Sequence, residues 1–284
     1  MAQSPEPMQQ EEQEEQGVQQ RAAAAASSKG WLERAGHGLF RFRSLTPLLL
    51  LAVAVPLLWQ SRGRASPVWL ALGLLSCVLG QALRAWVLGQ VRDGTSGQNE
   101  ALIATALNQT GPYAHTRNPL YLGNLGITLG LALVAHDPWV LGLSVLAFGL
   151  QYRAIIAVEE AFLTERFGSV YIEFTTRIPR FFPRLTAAPP PDAQATPPFS
   201  WARVLRKEHN PVAAWALLAI FLTAADRVVP ALRYGATLSW RGSGLWPSAA
   251  GGALVLALWL GVKGWKHQWL GGGLVKDVKR RLGL

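Results

Sequence analysis

Charge is scarce in this chain: Asp, Glu, Lys and Arg fill 15% of 284 positions, against about 25% in a soluble domain. That deficit points to lipid as part of the surroundings. Cysteine is nearly absent, and the lone Cys77 excludes an intramolecular disulfide and a cysteine metal cluster; its apolar neighbours make it a packing residue. The histidines, His37, His115, His136, His209 and His267, lack metal-ligand spacing, so no metal is expected. No Gly-x-Gly-x-x-Gly follows a strand pattern, which argues against a soluble dinucleotide-type site. The first residues lack the basic stretch and apolar core of a signal peptide, and none is expected.

What is abundant is apolar: 50% hydrophobic positions, with 28 Gly and 12 Trp, both favoured in and around membrane helices. The net charge of +10 sits between apolar stretches, a pattern of loop cations facing one side of a membrane and not of a nucleic-acid groove. No nucleic-acid partner is expected. Residues 1–30, rich in Gln, Glu, Ala and Ser, read as a disordered tail, and Trp31–Arg43 suits a short helix on the membrane surface. Six apolar segments follow, near 45–60, 67–89, 119–135, 138–158, 211–230 and 245–264, each near the ~20 residues that cross a bilayer. The fold class expected is all-α: a polytopic integral membrane protein of about six transmembrane helices. With the loop 90–118 on the cytoplasmic side, only Arg62, Arg64, Arg227, Arg233 and Arg241 fall outside. Five prolines between Thr186 and Ser200 make an extended linker. It divides a core, 31–185, from a two-span hairpin, 201–284, that ends in basic residues and shows no chemistry of its own.

One stretch concentrates chemistry, Thr110 to Gly123, which leads into the third span. Gly111-Pro112 is a turn signal, Asn118 suits a helix N-cap and Pro119 the first helical position. A membrane helix thus starts at the surface with its positive dipole end available to a carboxylate. Gly126 and Gly130 read as helix packing. The fourth span ends in Glu159-Glu160, then Phe167-Gly168 and Tyr171. Arg153 and Glu160 are seven residues apart, nearly two turns, and project from one helix face; ionisable groups at membrane depth are functional candidates. Glu159 reads instead as part of a structural ion pair or as an acid already in water at the helix end. His115, inside the motif loop, is a candidate to touch a cofactor or act as a base.

Gly111-Pro112-Tyr113, Arg117-Asn118-Pro119-Leu120-Tyr121 with Gly123, then Glu159-Glu160, Phe167-Gly168 and Tyr171 resemble the membrane methyltransferases that include isoprenylcysteine carboxyl methyltransferase and phospholipid N-methyltransferases. The resemblance spans roughly residues 90–185, with Arg-Asn-Pro where Arg-His-Pro is commoner. It implies an S-adenosylmethionine pocket at the cytoplasmic ends of the third and fourth helices. Tyr113, Asn118, Pro119, Leu120, Tyr121 and Glu160 would contact the cofactor, with Gln98 and the segment 105–108 candidates by position. Arg117, Glu160 and Arg153 would be the catalytic or orienting set. The carboxyl-methylating members carry an arginine one turn before the acid; Ile156 stands there, which argues against an isoprenylcysteine acceptor. The partners implied are the membrane and a lipid or lipophilic small molecule, in a bacterial inner membrane or the endoplasmic reticulum. Two other readings compete: a sterol-type reductase using a nicotinamide cofactor, whose members share a similar Arg-x-Pro-x-Tyr helix, and a non-catalytic membrane scaffold.

Overall fold

The computed structural model describes residues 66–91, 104–190, 195–234 and 245–282, with 230 and 267–282 described by their backbone alone. Gln98, the first expected span and the N-terminal tail lie outside the described residues. Six α-helices are described and no strand: α1 (Pro67–Gln90), α2 (Pro119–Val134), α3 (Pro138–Phe167), α4 (Ser169–Arg177), α5 (Trp201–Tyr234) and α6 (Leu245–Leu282). Of these, α1, α3, α5 and the Leu245–Lys266 part of α6 are long and apolar enough to cross a membrane.

Local chemistry sets the boundaries. Pro67 and Pro138 occupy first-turn positions whose missing N–H is no loss, and Ser66 and Asp137 cap the helices behind them. Asp137 accepts from the amides of Trp139 at 2.9 Å and Val140 at 3.0 Å, so His136-Asp137-Pro138 makes the tight turn its brevity predicts. Gly168 separates α3 from α4 with φ at +53°, a left-handed conformation that glycine adopts without a Cβ penalty.

Helices α1 and α2 share the most extensive contact in the bundle, and small residues allow it. A Cβ on Gly130 would meet Cys77 Sγ and the Gly73 carbonyl, both at 2.5 Å, and one on Gly123 would meet Arg84 Cγ at 2.7 Å. Packing is thus the work of Gly130 as expected, and of Gly123 too. Helix α3 lies against α2, α5 against α1 and α2, and α6 against α5. Helix α2 has 16 residues and α3 has 30, which at 1.5 Å per residue gives about 24 and about 45 Å. The excess of α3 stands beyond the start of α2 and forms one wall of a cleft.

Candidate active site

The polar tail that follows α4 runs back along the motif loop and holds it. Arg117 N donates to the Pro179 carbonyl at 2.9 Å, Arg184 N to His115 O at 2.9 Å and Ala188 N to Ala114 O at 3.0 Å. The buried Thr116 hydroxyl donates to Phe181 O at 3.0 Å. Asn118 precedes α2, but its side chain makes no cap; the amide donates instead to Arg180 O at 2.8 Å. The N-cap expectation is corrected on that point: the tail competes for the side chain and wins it.

Between the loop, the start of α2, the end of α3 and α4 lies a cleft. Tyr113, Arg117, Asn118, Leu120, Tyr121 and Glu160 line it together, as the motifs led one to expect. Ala106, Leu107 and Asn108 line it from the preceding loop, Phe162 and Leu163 from α3, and Tyr171 and Phe174 from α4. Pro119 is fully buried at the head of α2 and shapes the wall without lining it.

Two acids face the cleft in different states. Glu160 is clamped: Arg117 Nη1 donates to it at 2.8 Å, and Arg180 reaches it through Nε at 3.1 Å and through a second guanidinium nitrogen. Glu159 accepts a hydrogen bond from the Tyr121 hydroxyl and lines the cleft, so it is no acid simply left in water. Burial and then the Glu159 charge push the Tyr113 hydroxyl far above the usual phenol range. Tyr171 is pushed up to about 12, by burial first and by Glu160 next, while Arg117 and Arg180 oppose the shift. Both phenols are therefore protonated at neutral pH and able to donate.

Two sequence-based candidates stand elsewhere. Arg153 is exposed on α3 and lines no part of the cleft; a shared helix face put it two turns from Glu160, and the two arginines that reach Glu160 come from the loop and the tail. The His115 ring packs near Trp86, with centroids 6.0 Å apart, and its Nδ1 meets Arg184 O at 2.8 Å, which turns it from the cleft toward the tail. Ile156 is buried against Tyr121. Arg180 was missed from sequence because its role depends on the tail folding back; its only signal was a cation beside the Pro179 turn.

Residues 68–170 match the phospholipid methyltransferase family. The segment runs from the first turn of α1 into α4, so this match takes in most of the cleft lining, stops short of Tyr171 and Phe174, and leaves out α5 and α6. Over 121 residues the chain is 36% identical to the cobalt-zinc-cadmium resistance protein of Cupriavidus metallidurans, covering 43% of this chain and 52% of that one. It is 31% identical over 121 residues to the nickel-cobalt-cadmium resistance protein of Alcaligenes xylosoxydans xylosoxydans, covering 43% and 53%. The chain thus spans about half the length of the curated relatives it matches. No solved structure matches it. Among the described residues no group of three or more His, Cys, Asp and Glu side chains is placed to hold a metal ion.

Proposed function

We propose that the chain is an S-adenosylmethionine-dependent methyltransferase acting on a lipophilic acceptor, with the cleft facing the cytoplasm in a multi-pass membrane protein. The observation that carries the reading is the donor set of the cleft, inside the segment that matches the phospholipid methyltransferase family. Glu159, backed by the Tyr121 phenol and close enough to Tyr113 to perturb it, supplies negative charge and π-faces, which suit a cationic sulfonium. The Asn108 amide and the carbonyl end of the Asn118 amide offer hydrogen bonds, and Leu120, Phe162 and Leu163 offer an apolar wall for a flat heteroaromatic group. When bound, S-adenosylmethionine supplies an activated methyl group for in-line displacement. Such a displacement needs alignment and exclusion of water, worth roughly 7–11 kcal/mol in ideal intramolecular cases.

The residues divide that work. Glu160 spends its charge on Arg117 and Arg180 and so locks the loop and tail to α3, which keeps the cleft walls in register. Glu159 accepts from the Tyr121 phenol and faces the cleft, where a carboxylate suits a cation. Tyr113, Asn118, Leu120 and Tyr121 are the cofactor contacts, and Arg117 orients through its fork to Glu160. Arg153 and His115 have no place in this assignment. The names of both relatives concern resistance to divalent metals. The same setting for this chain is methylation of a membrane component that supports such resistance.

Calorimetric titration of S-adenosylhomocysteine into the detergent-purified chain tests the reading, with a Tyr121→Ala, Glu159→Ala double variant and an NADPH titration beside it. Binding by wild type, lost in a variant of unchanged helix content, is the expected result. A folded wild type that binds NADPH but not S-adenosylhomocysteine would give the site to a reductase, and one that binds neither would leave a scaffold.

A further inference from the structure

A second polar cluster, buried at its Arg84–Glu208 pair, links α1, α2, α3 and α5, and its acid comes from α5, outside the family-matched segment. Arg84 on α1 makes a two-point contact with Glu208 on α5: Nη2 to Oε1 at 2.7 Å and Nε to Oε2 at 2.8 Å. The side chains are 8% and 2% exposed. Gln81 Nε2 also donates to Glu208 Oε2, at 2.7 Å, and Trp215 Nε1 donates to Gln81 Oε1 at 3.0 Å. Charged groups buried between apolar helices are costly, and neither persists without a reason.

The cluster does not stop at the ion pair. The third nitrogen of the Arg84 guanidinium donates to Asn124 Oδ1 on α2. An amide has one acceptor and one donor end, so an oxygen turned to Arg84 leaves the Asn124 nitrogen facing away, and it donates to the Tyr152 hydroxyl on α3 at 2.8 Å. The Tyr152 ring is stacked on Phe148 at 4.0 Å and tilted against Tyr121 at 4.8 Å between centroids. Tyr121 in turn holds Glu159 at the cleft. Each link fixes the next: the fork sets the guanidinium plane, the guanidinium sets the amide, and the amide and Phe148 set the ring that Tyr121 leans on.

We propose that Glu208 is a positioning residue of the cleft, acting through Arg84, Asn124 and Tyr152 on the Tyr121 phenol that holds Glu159. The two-span hairpin is thereby part of the working site. The consequence for cofactor binding rests on the methyltransferase reading; the coupling to Tyr121 does not. The competing role is fastening, in which the ion pair only anchors α5 to the bundle.

Two variants of the full chain separate these. Asn124→Leu cuts the relay while leaving the Arg84–Glu208 pair in place, and Arg84→Met with Glu208→Leu replaces both charges by apolar groups of similar size, a change that buried pairs often tolerate. Each is made with 3-fluorotyrosine at position 121 and read by fluorine NMR in nanodiscs without cofactor, then titrated with S-adenosylhomocysteine. Positioning requires a displaced 121 resonance and affinity weakened about tenfold both in Asn124→Leu and in the double variant, at a melting temperature near that of wild type. A wild-type resonance and wild-type affinity in Asn124→Leu would overturn the proposal and leave fastening, even if the double variant failed to fold. A displaced resonance in a protein whose wild type binds no S-adenosylhomocysteine would keep the coupling and remove the methyltransferase reading.

Discussion

Among the described residues, the arginine–glutamate contacts around Glu160 and around Glu208 are built for different ends. Around Glu160 the pair is at the rim: Arg117 and Glu160 are 14% and 15% exposed and Arg180 is 57% exposed. Around Glu208 the pair is interior, between helices, with both ends of the carboxylate engaged. A rim pair meets water on one side and holds a loop and a tail to α3. An interior pair is screened by nothing and holds helices whose relation has to stay constant. The same two residue types thus serve as a clasp in one region and as a framework in the other.

The largest effect expected from breaking that contrast is at Glu208. Glu208→Ala leaves the Arg84 guanidinium buried without its counter-charge, a loss of about 3–5 kcal/mol, to be seen as a fall in melting temperature of the nanodisc-embedded protein and in the yield of folded chain. A loss below about 1 kcal/mol, the range of exposed pairs, would make the inner pair no different from the rim.

Next comes the alkaline behaviour of the cleft. Tyr171 has its pKa raised from 10 to about 12, so its contribution to stability is complete below pH 10 and fades as pH rises from 10 through 12, where the unfolded phenol ionises first. The slope is at most about 1.4 kcal/mol per pH unit. Chemical denaturation at several pH values reads it, and Tyr171→Phe should flatten the curve above pH 10. Smaller still is Arg180→Ala, expected to cost about 0–1 kcal/mol of stability, because its exposed guanidinium already shares Glu160 with Arg117; salt should erase even that difference. Arg153→Ala is the smallest, within about 0.5 kcal/mol and without effect on S-adenosylhomocysteine affinity, since Arg153 is exposed and off the cleft. A tenfold loss of affinity there would return Arg153 to the site.

Much of the cleft was legible in the sequence. Gly111-Pro112-Tyr113 and Arg117 to Tyr121 are contiguous, so a local pattern carries them, and Glu159-Glu160 follow at the end of a recognisable span. Arg153 misled because helical periodicity gives the direction of a side chain but not its partners: seven residues place it on the face of Glu160, about 10 Å along the axis. His115 misled for a related reason, since a loop position does not say which side of the loop a ring takes. Glu159 and Arg180 were undervalued because their roles come from Tyr121 and from a tail that doubles back. The hairpin looked inert because its acid, Glu208, sits among Arg206, Lys207 and His209 in a stretch that reads as a solvated helix start. Its burial arises only when α5 meets α1.

What the sequence by itself determined was local or one-dimensional: scarce charge and long apolar runs that call for lipid, prolines and a glycine that start and divide the helices, and a contiguous motif that marks the cleft. These follow from chain neighbours, and chain neighbours are known at once. What only the tertiary structure decided was which charge meets which. Arg84 and Glu208 are 124 positions apart, Arg117 and Glu160 are 43 apart, and Arg180 returns through a tail. The physical reason is that burial turns an ordinary cation and an ordinary acid into an obligatory pair, and burial is a property of helices packed together, not of any one of them.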